Sequence, residues 1–388
     1  MDYLGKTQAE LEHAGGYWTA REISQQPSVW ADIERLMALG AGELRAYLEP
    51  LLRRPELRVV LTGAGTSAFV GECLAPALIG AGLEARAVAT TDLVGSPDRW
   101  LTPAAPILLV SFARSGNSPE SVAALKLAEQ ATPACHHLIV TCNREGALYR
   151  HAQSANNAHA VLLPEQTNDR GFAMTSSFSG MLLAAALGFN LLPDAPAGAL
   201  AQWASQFLDA GLELASALAR ADFQRVVYLG SNECKGLARE AALKMLELSD
   251  GGVVTLAETP LGFRHGPKTI INGKTLVVMF LSNDPYVRRY ELDVLNELRA
   301  DGIAARVIAL TAEGGAGDEY PAHRDTIAVP GAKSASTLGL CFPYAVFVQI
   351  LAFLQSLRLG LRPDLPNARG VVNRVVQGFS IHPWDPPR

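Results

Sequence analysis

The chain has 388 residues, 49% of them apolar and 18% charged, with a formal charge of −5. That length exceeds the roughly 100 to 200 residues of one ordinary domain, so two domains are expected, and the composition excludes long disordered tails. The acidic balance, with no run of Lys and Arg, gives no footprint for nucleic acid or for a membrane surface.

Residues 1–12 carry early acidic groups and no apolar centre, so no signal peptide is read there. A helical stretch including residues 29–40 follows, and with it residues 1–48 form an N-terminal helical segment. Apolar runs then appear at 59–62, 85–89 and 107–112, separated by longer segments of helical period, which is the pattern of βαβ crossovers and a parallel sheet. The same landmarks return later in the chain. Arg58-Val59-Val60 with Gly63 recurs as Arg225-Val226-Val227 with Gly230, 167 residues on. ILLVSF at 107 is matched by TLVVMF at 275, Val140-Thr141 by Leu310-Thr311, and Pro164 by Pro330, at offsets of 168, 170 and 166. One spacing over four landmarks predicts a duplicated α/β unit, spanning residues 49–195 and 212–360, rather than one large sheet. A Pro-rich tail, residues 361–388, closes the chain with a strand-like VVNRVV at 371–376. Longer apolar stretches are interrupted by Asn190 or Gln349 and fall short of the roughly 20 residues of a membrane span. A soluble, cytoplasmic protein is expected.

The five cysteines, Cys73, Cys135, Cys142, Cys234 and Cys341, form no CxxC pair and are odd in number, which suits buried free thiols in a reducing compartment. Cys135, His136, His137 and Cys142 match no zinc spacing and lie on a segment that reads as strand, so no metal is expected.

Ligands of open parallel sheets bind beyond the carboxyl ends of the strands. Two loops there are informative. Gly63-Ala64-Gly65-Thr66-Ser67 runs from a strand into a helix but has Ala68 where GxGxxG needs its third glycine, so alone it is a weak phosphate signal. Ser111-Phe112-Ala113-Arg114-Ser115-Gly116-Asn117-Ser118-Pro119-Glu120 is stronger. Ser118 suits an N-cap, Pro119 the first helical position and Glu120 the first turn, so a helix N-terminus opens beside Arg114 and Ser115. Backbone N–H groups, a positive dipole end, a hydroxyl and a guanidinium together hold phosphate. The structural alternative is that Ser118 only caps its helix while Arg114 pairs with a surface acid.

GAGTS and RSGNS, each after a strand of a duplicated α/β unit, resemble the sugar isomerase (SIS) domain. Ala242-Leu243-Lys244-Met245-Leu246-Glu247 and Arg264-His265-Gly266-Pro267 resemble motifs of the isomerase half of glucosamine-6-phosphate synthase. Thr19-Ala20-Arg21-Glu22-Ile23 with Gln26-Pro27 is similar to its lead-in. SFARSGNSPES and the tail PNARGVVNRVVQG are closest to AgaS-type proteins, known as tagatose-6-phosphate ketose/aldose isomerases or galactosamine-6-phosphate deaminating isomerases. The resemblance implies two tandem SIS units and a phosphosugar isomerase, and no cofactor is expected.

Moving a proton between neighbouring carbons needs a carboxylate that takes and returns it. Lys244 and Glu247 are three apart on one helix face, a spacing that a surface ion pair would share. By resemblance Glu247 is the proton-transfer base and Lys244 a helper near the sugar oxygens. His265 is the ring-opening residue lent by a neighbouring subunit, which implies at least a homodimer. Ser67, Arg114, Ser115 and Ser118 are carried over as phosphate ligands, with Thr66 touching the sugar and Thr175, in GFAMTSSFSG, joining them. Three departures matter. Met174 replaces a serine of the synthase. No glutaminase domain precedes the first unit, so an amino-sugar substrate is expected to release ammonia. The synthase's imine-forming C-terminal lysine has no match, the nearest cation being Arg374, which stays protonated and forms no imine. Plain enolisation is therefore expected, with hydrolytic loss of any C2 nitrogen.

The rival from another class is a sugar-phosphate sensor, which needs the cradle without Glu247, Lys244 and His265. A nicotinamide dehydrogenase would need the full GxGxxG and an acidic residue ending the second strand, whereas Glu84 precedes it.

Overall fold

A computed structural model describes residues 2–101, 105–132, 134–313, 325–367, 369–370, 372 and 380–385. Among the described residues, after a short hairpin of β1 (Asp2–Tyr3) and β2 (Lys6–Thr7), ten strands form two five-stranded sheets. The first contains β3 (Arg58–Thr62), β4 (Glu84–Ala87), β5 (Ile107–Ala113), β6 (Cys135–Thr141) and β7 (Ala158–Leu162) in the order β4-β3-β5-β6-β7. The second contains β8 (Arg225–Gly230), β9 (Val254–Glu258), β10 (Thr275–Phe280), β11 (Arg306–Ala312) and β12 (Thr326–Val329) in the order β9-β8-β10-β11-β12. Every pairing in both is parallel, and the two orders are the same. The expected duplication is thus present as two copies of one topology, of the doubly wound kind whose order reverses beside its first strand.

Central strands read as continuous apolar runs because helices cover both faces of a parallel sheet. All seven residues of β5 and all six of β10 are buried. Around β5 the core is built from Val60, Leu93, Leu109, Ala124 and Leu127, and around β10 from Val227, Phe263, Met279, Leu295 and Val307.

The chain divides into two compact units: residues 1–30, 170–175 and 192–369 with the second sheet, and residues 31–169, 176–191 and 370–388 with the first. The segments before 49 and after 360 are therefore shared out between the sheets. The helix expected at 29–40 is longer, Gln26–Leu52. The expected strand at 371–376, with Arg374, lies outside the described residues except for Val372.

One expectation needs correction. Helix Thr337–Arg358 has 22 residues with a mean hydropathy of 2.0 over 18 of them, so by length and composition it could cross a membrane despite Gln349. Its apolar window is 89% buried, however, and it packs against helices Ala199–Ala219 and Glu233–Leu248 as the core helix of its unit. Gln349 is accommodated there because its Oε1 accepts from Gln26 Nε2 at 2.7 Å. That bond satisfies the amide's oxygen, while Gln349 Nε2 is buried with no hydrogen-bond partner among the described residues.

Candidate active site

In the unit of the first sheet, the order reverses between β3 and β5, and both predicted loops leave from there. Thr62 and Ser111, the last residues of one strand and nearly the last of the other, pair in register. Their hydroxyls are buried with no hydrogen-bond partner among the described residues. After β3 the chain turns so tightly that a Cβ on Gly63 would lie 2.5 Å from the carbonyl carbon of Ser67. Gly65 takes φ 55°, ψ −127°, and helix Thr66–Gly80 starts immediately. Thr66 and Ser67 are both buried in its first turn, where N–H groups and dipole favour an anion.

The second loop is built as expected. Ser118 is the N-cap of helix Pro119–Ala131, accepting from Ser121 N at 3.2 Å and donating to Ser121 Oγ at 2.7 Å, with Pro119 at the first position. Ser118 Oγ thus has a capping role of its own. Arg114 is 7% exposed, which removes the surface-ion-pair alternative. Its charge reaches Cys142, whose thiol is nevertheless pushed up to about 12 by burial. Ser115 is half-buried and Asn117 exposed. The loop is braced by the next one along the sheet. Asn143 Nδ2 donates to Ser115 O at 2.8 Å, Ala147 N to Asn117 Oδ1 at 2.9 Å and Leu148 N to Gly116 O at 3.1 Å. Gly146 is required there, since a Cβ would lie 2.7 Å from Ser115 O. This brace was not anticipated; its signal is that Asn143 and Gly146 follow β6 on the same carboxyl side.

The other unit repeats the backbone and changes the chemistry. A Cβ on Gly230 would lie 2.4 Å from Cys234 O, and Asn232 takes φ 49°, ψ −118°, almost the conformation of Gly65. Helix Pro285–Asp301 again starts with Pro, but its N-cap is Asp284, whose Oδ1 accepts from Tyr286 N and Val287 N at 2.8 and 3.1 Å. A carboxylate already occupies the anion-favouring helix end. Helix Glu233–Leu248 carries the titratable set instead. Lys244 is fully buried, with Nζ 2.5 Å from Glu247 Oε2 and 3.7 Å from Glu240 Oε1. It is therefore no surface pair. Glu240 is fully buried too, whereas the Glu247 side chain is 24% exposed, so of the three only Glu247 meets solvent. Glu240 went unread in the sequence, although its place four residues before Lys244 puts it on the same helix face.

His265 lies in the turn after the short helix Pro260–Phe263 and is exposed, with no side-chain hydrogen bond or ion pair among the described residues. Its neighbours are anchored: Arg264 Nε is 2.8 Å from Glu297, and Lys268 Nζ is 2.5 Å from both Glu297 and Asp301. Thr175, in the same unit, is fully buried. The segment leading to it is ordered by the N-terminal motif. Glu22 accepts from Arg170 N at 2.5 Å and Gly171 N at 3.1 Å, while Thr19 N and Oγ1 donate to Asp364 at 2.8 and 2.7 Å. Glu84 opens β4, whereas a dinucleotide fold has its acidic ribose ligand at the strand's end, and it pairs with Arg58 and Arg86 at 3.4 and 3.2 Å.

Residues 51–190 match the SIS domain model. Over 96% of its length the chain is 46% identical to the D-galactosamine-6-phosphate deaminase AgaS of Escherichia coli O157:H7, covering 97% of it. The chain belongs to the AgaS family of SIS-domain proteins. A Shewanella AgaS, also named D-galactosamine-6-phosphate deaminase, is 39% identical over 97% of this chain and 94% of its own. The crystal structure of a tagatose-6-phosphate ketose/aldose isomerase from Escherichia coli, 42% identical, superposes with a TM-score of 0.88 over 98% of this chain and 99% of that one. As a member of the AgaS family, the chain is a phosphosugar isomerase built from two SIS-type units.

Proposed function

We propose that this AgaS-family chain converts galactosamine-6-phosphate and water into tagatose-6-phosphate and ammonia by enolisation. The cradle of Thr66, Ser67, Arg114, Ser115 and Ser118 holds the substrate, with the phosphate on the hydroxyls, the Arg114 cation and two helix N-termini, and Thr66 touching the sugar; Thr175 is a further ligand carried over by resemblance alone. His265, lent by the neighbouring subunit of a homodimer, opens the ring. Its exposed position on an anchored turn supports that assignment.

Glu247 then removes the C2 proton of the open-chain sugar and returns it at C1, leaving a C2 imine that water hydrolyses to the ketone and ammonia. The same proton transfer on a substrate without nitrogen would interconvert aldose and ketose, which accommodates both names given to the relatives. Lys244, held between two carboxylates, lies beside Glu247 as a cation for the oxygens that gain charge during enolisation. The buried Lys244 with Glu247 at 2.5 Å carries the proposal, because a sensor has no use for that arrangement. Five buried free thiols support a cytoplasmic setting.

The test is to incubate the purified protein with galactosamine-6-phosphate, glucosamine-6-phosphate and tagatose-6-phosphate in parallel, measuring ammonia and product mass. Ammonia with a ketose phosphate from the galacto substrate alone supports the proposal. Tight binding of all three with turnover of none would replace it with a sensor.

A further inference from the structure

Away from the cradle, on the face of the first sheet covered by helix Pro119–Ala131, three side chains from three elements converge. His137 comes from the first half of β6, Glu129 from the last turn of that helix, and His151 from helix Ala147–Ser154. Glu129 Oε1 is 3.5 Å from His137 Nε2 and 3.3 Å from His151 Nε2, and the three donor atoms all lie within 4.8 Å of one another. Two imidazoles and one carboxylate are a donor set that zinc favours. The two distances from Glu129 Oε1 fit as well. With metal–ligand bonds of about 2.0–2.1 Å, the edge of a coordination tetrahedron is about 3.3–3.4 Å.

Hydrogen bonding accounts for only part of the convergence, through the contact of His137 Nε2 with Cys135 Sγ. His151 Nε2 is buried with no hydrogen-bond partner although Glu129 lies 3.3 Å away, and His137, fully buried, leaves Nδ1 without one. Buried ring nitrogens left unsatisfied ask for an explanation. Cys135 Sγ, 3.6 Å from His137 Nε2 on the same strand face, is a further soft donor at the rim. The His151 and Glu129 side chains are 27% and 36% exposed, which gives an ion a way in.

We propose that Glu129, His137 and His151 bind a divalent zinc-like ion in a structural site separate from the catalytic residues. The ion would pin together the two helices whose first residues, Pro119 and Ala147, flank the braced phosphate loop.

The full-length protein, stripped with a chelator, would be titrated with Zn²⁺ by calorimetry and by thermal melting, alongside His151→Ala and Glu129→Gln. Both substitutions fall at partly exposed positions, and circular dichroism would check their fold. Expected is one ion per chain, a melting temperature raised by several degrees in excess Zn²⁺, and binding weakened at least 100-fold in either variant. The metal-free variants should turn over substrate within twofold of the metal-free parent. Absence of saturable binding in the parent, or equal affinity in parent and folded His151→Ala, would overturn the site.

Discussion

Glu247→Gln separates a catalytic carboxylate from a merely structural one. Lys244 is fully buried with Glu247 at 2.5 Å and Glu240 at 3.7 Å. Breaking a buried ion pair outright costs about 3–5 kcal/mol. Here Glu240 stays, and the new amide can still accept from Nζ through its carbonyl oxygen. The loss is then nearer that of one charge-assisted hydrogen bond, about 1.5–3 kcal/mol. At the roughly 2–4 °C per kcal/mol of larger domains, the variant should melt several degrees lower and remain folded at 25 °C. Its chemistry should suffer far more. A positioned base contributes on the order of 10²–10⁴-fold, and an amide cannot take a proton. In D₂O, mass spectrometry should show exchange of the substrate's C2 proton slowed at least about 100-fold, with substrate affinity nearly unchanged because the phosphate is held by other residues. Exchange at the parental rate in a folded Glu247→Gln protein would refute the assignment of the base.

Ser115→Ala should weaken apparent substrate affinity by about 10- to 100-fold, as expected for one hydrogen bond to a charged group, while kcat at saturation falls far less; an unchanged KM would remove the cradle. Lys244→Met, which takes the ammonium from between two carboxylates, should cost about 3–5 kcal/mol in chemical denaturation, and adding Glu240→Gln should recover stability without recovering turnover. Recovery of both would make the trio purely structural. Gly63→Ala should impair phosphate binding, and Gly230→Ala, with the equivalent clash, should chiefly lower kcat through the helix that carries Lys244 and Glu247; identical kinetic effects would contradict the division of roles between the units. The native protein should resist a thiol reagent at pH 8, because all five thiols are buried and Cys135 and Cys142 are pushed up to about 12, whereas the unfolded chain should titrate five. Prompt reaction of two or more native thiols would count against the packing described.

Much of the architecture was legible because parallel strands, buried on both faces, print themselves as apolar runs, and a duplication prints them twice at one spacing. The capping of helix Pro119–Ala131 was legible for a similar reason: Ser118, Pro119 and Glu120 interact within one turn, so their meaning is local. What the sequence hid depends on contacts across long separations. That Thr19 and Glu22 secure Asp364 and Gly171 cannot be seen from the motif itself. Nor can the brace from Asn143 to Ser115, or the meeting of Glu129, His137 and His151 from two helices and a strand. The length of helix Thr337–Arg358 was misjudged because Gln349 reads as a break in an apolar run, whereas inside a core one amide can continue the helix by pairing with Gln26.

Gly63 and Gly230 stand under the same steric demand, although the loop after Gly63 leads to hydroxyls and the loop after Gly230 to a carboxylate-capped neighbour. The glycine is thus the hinge pin of the strand-to-helix corner rather than a receptor for any ligand. A glycine-rich corner on such a sheet therefore advertises a joint that can be fitted for binding or for proton chemistry, and the side chains mounted on it decide which.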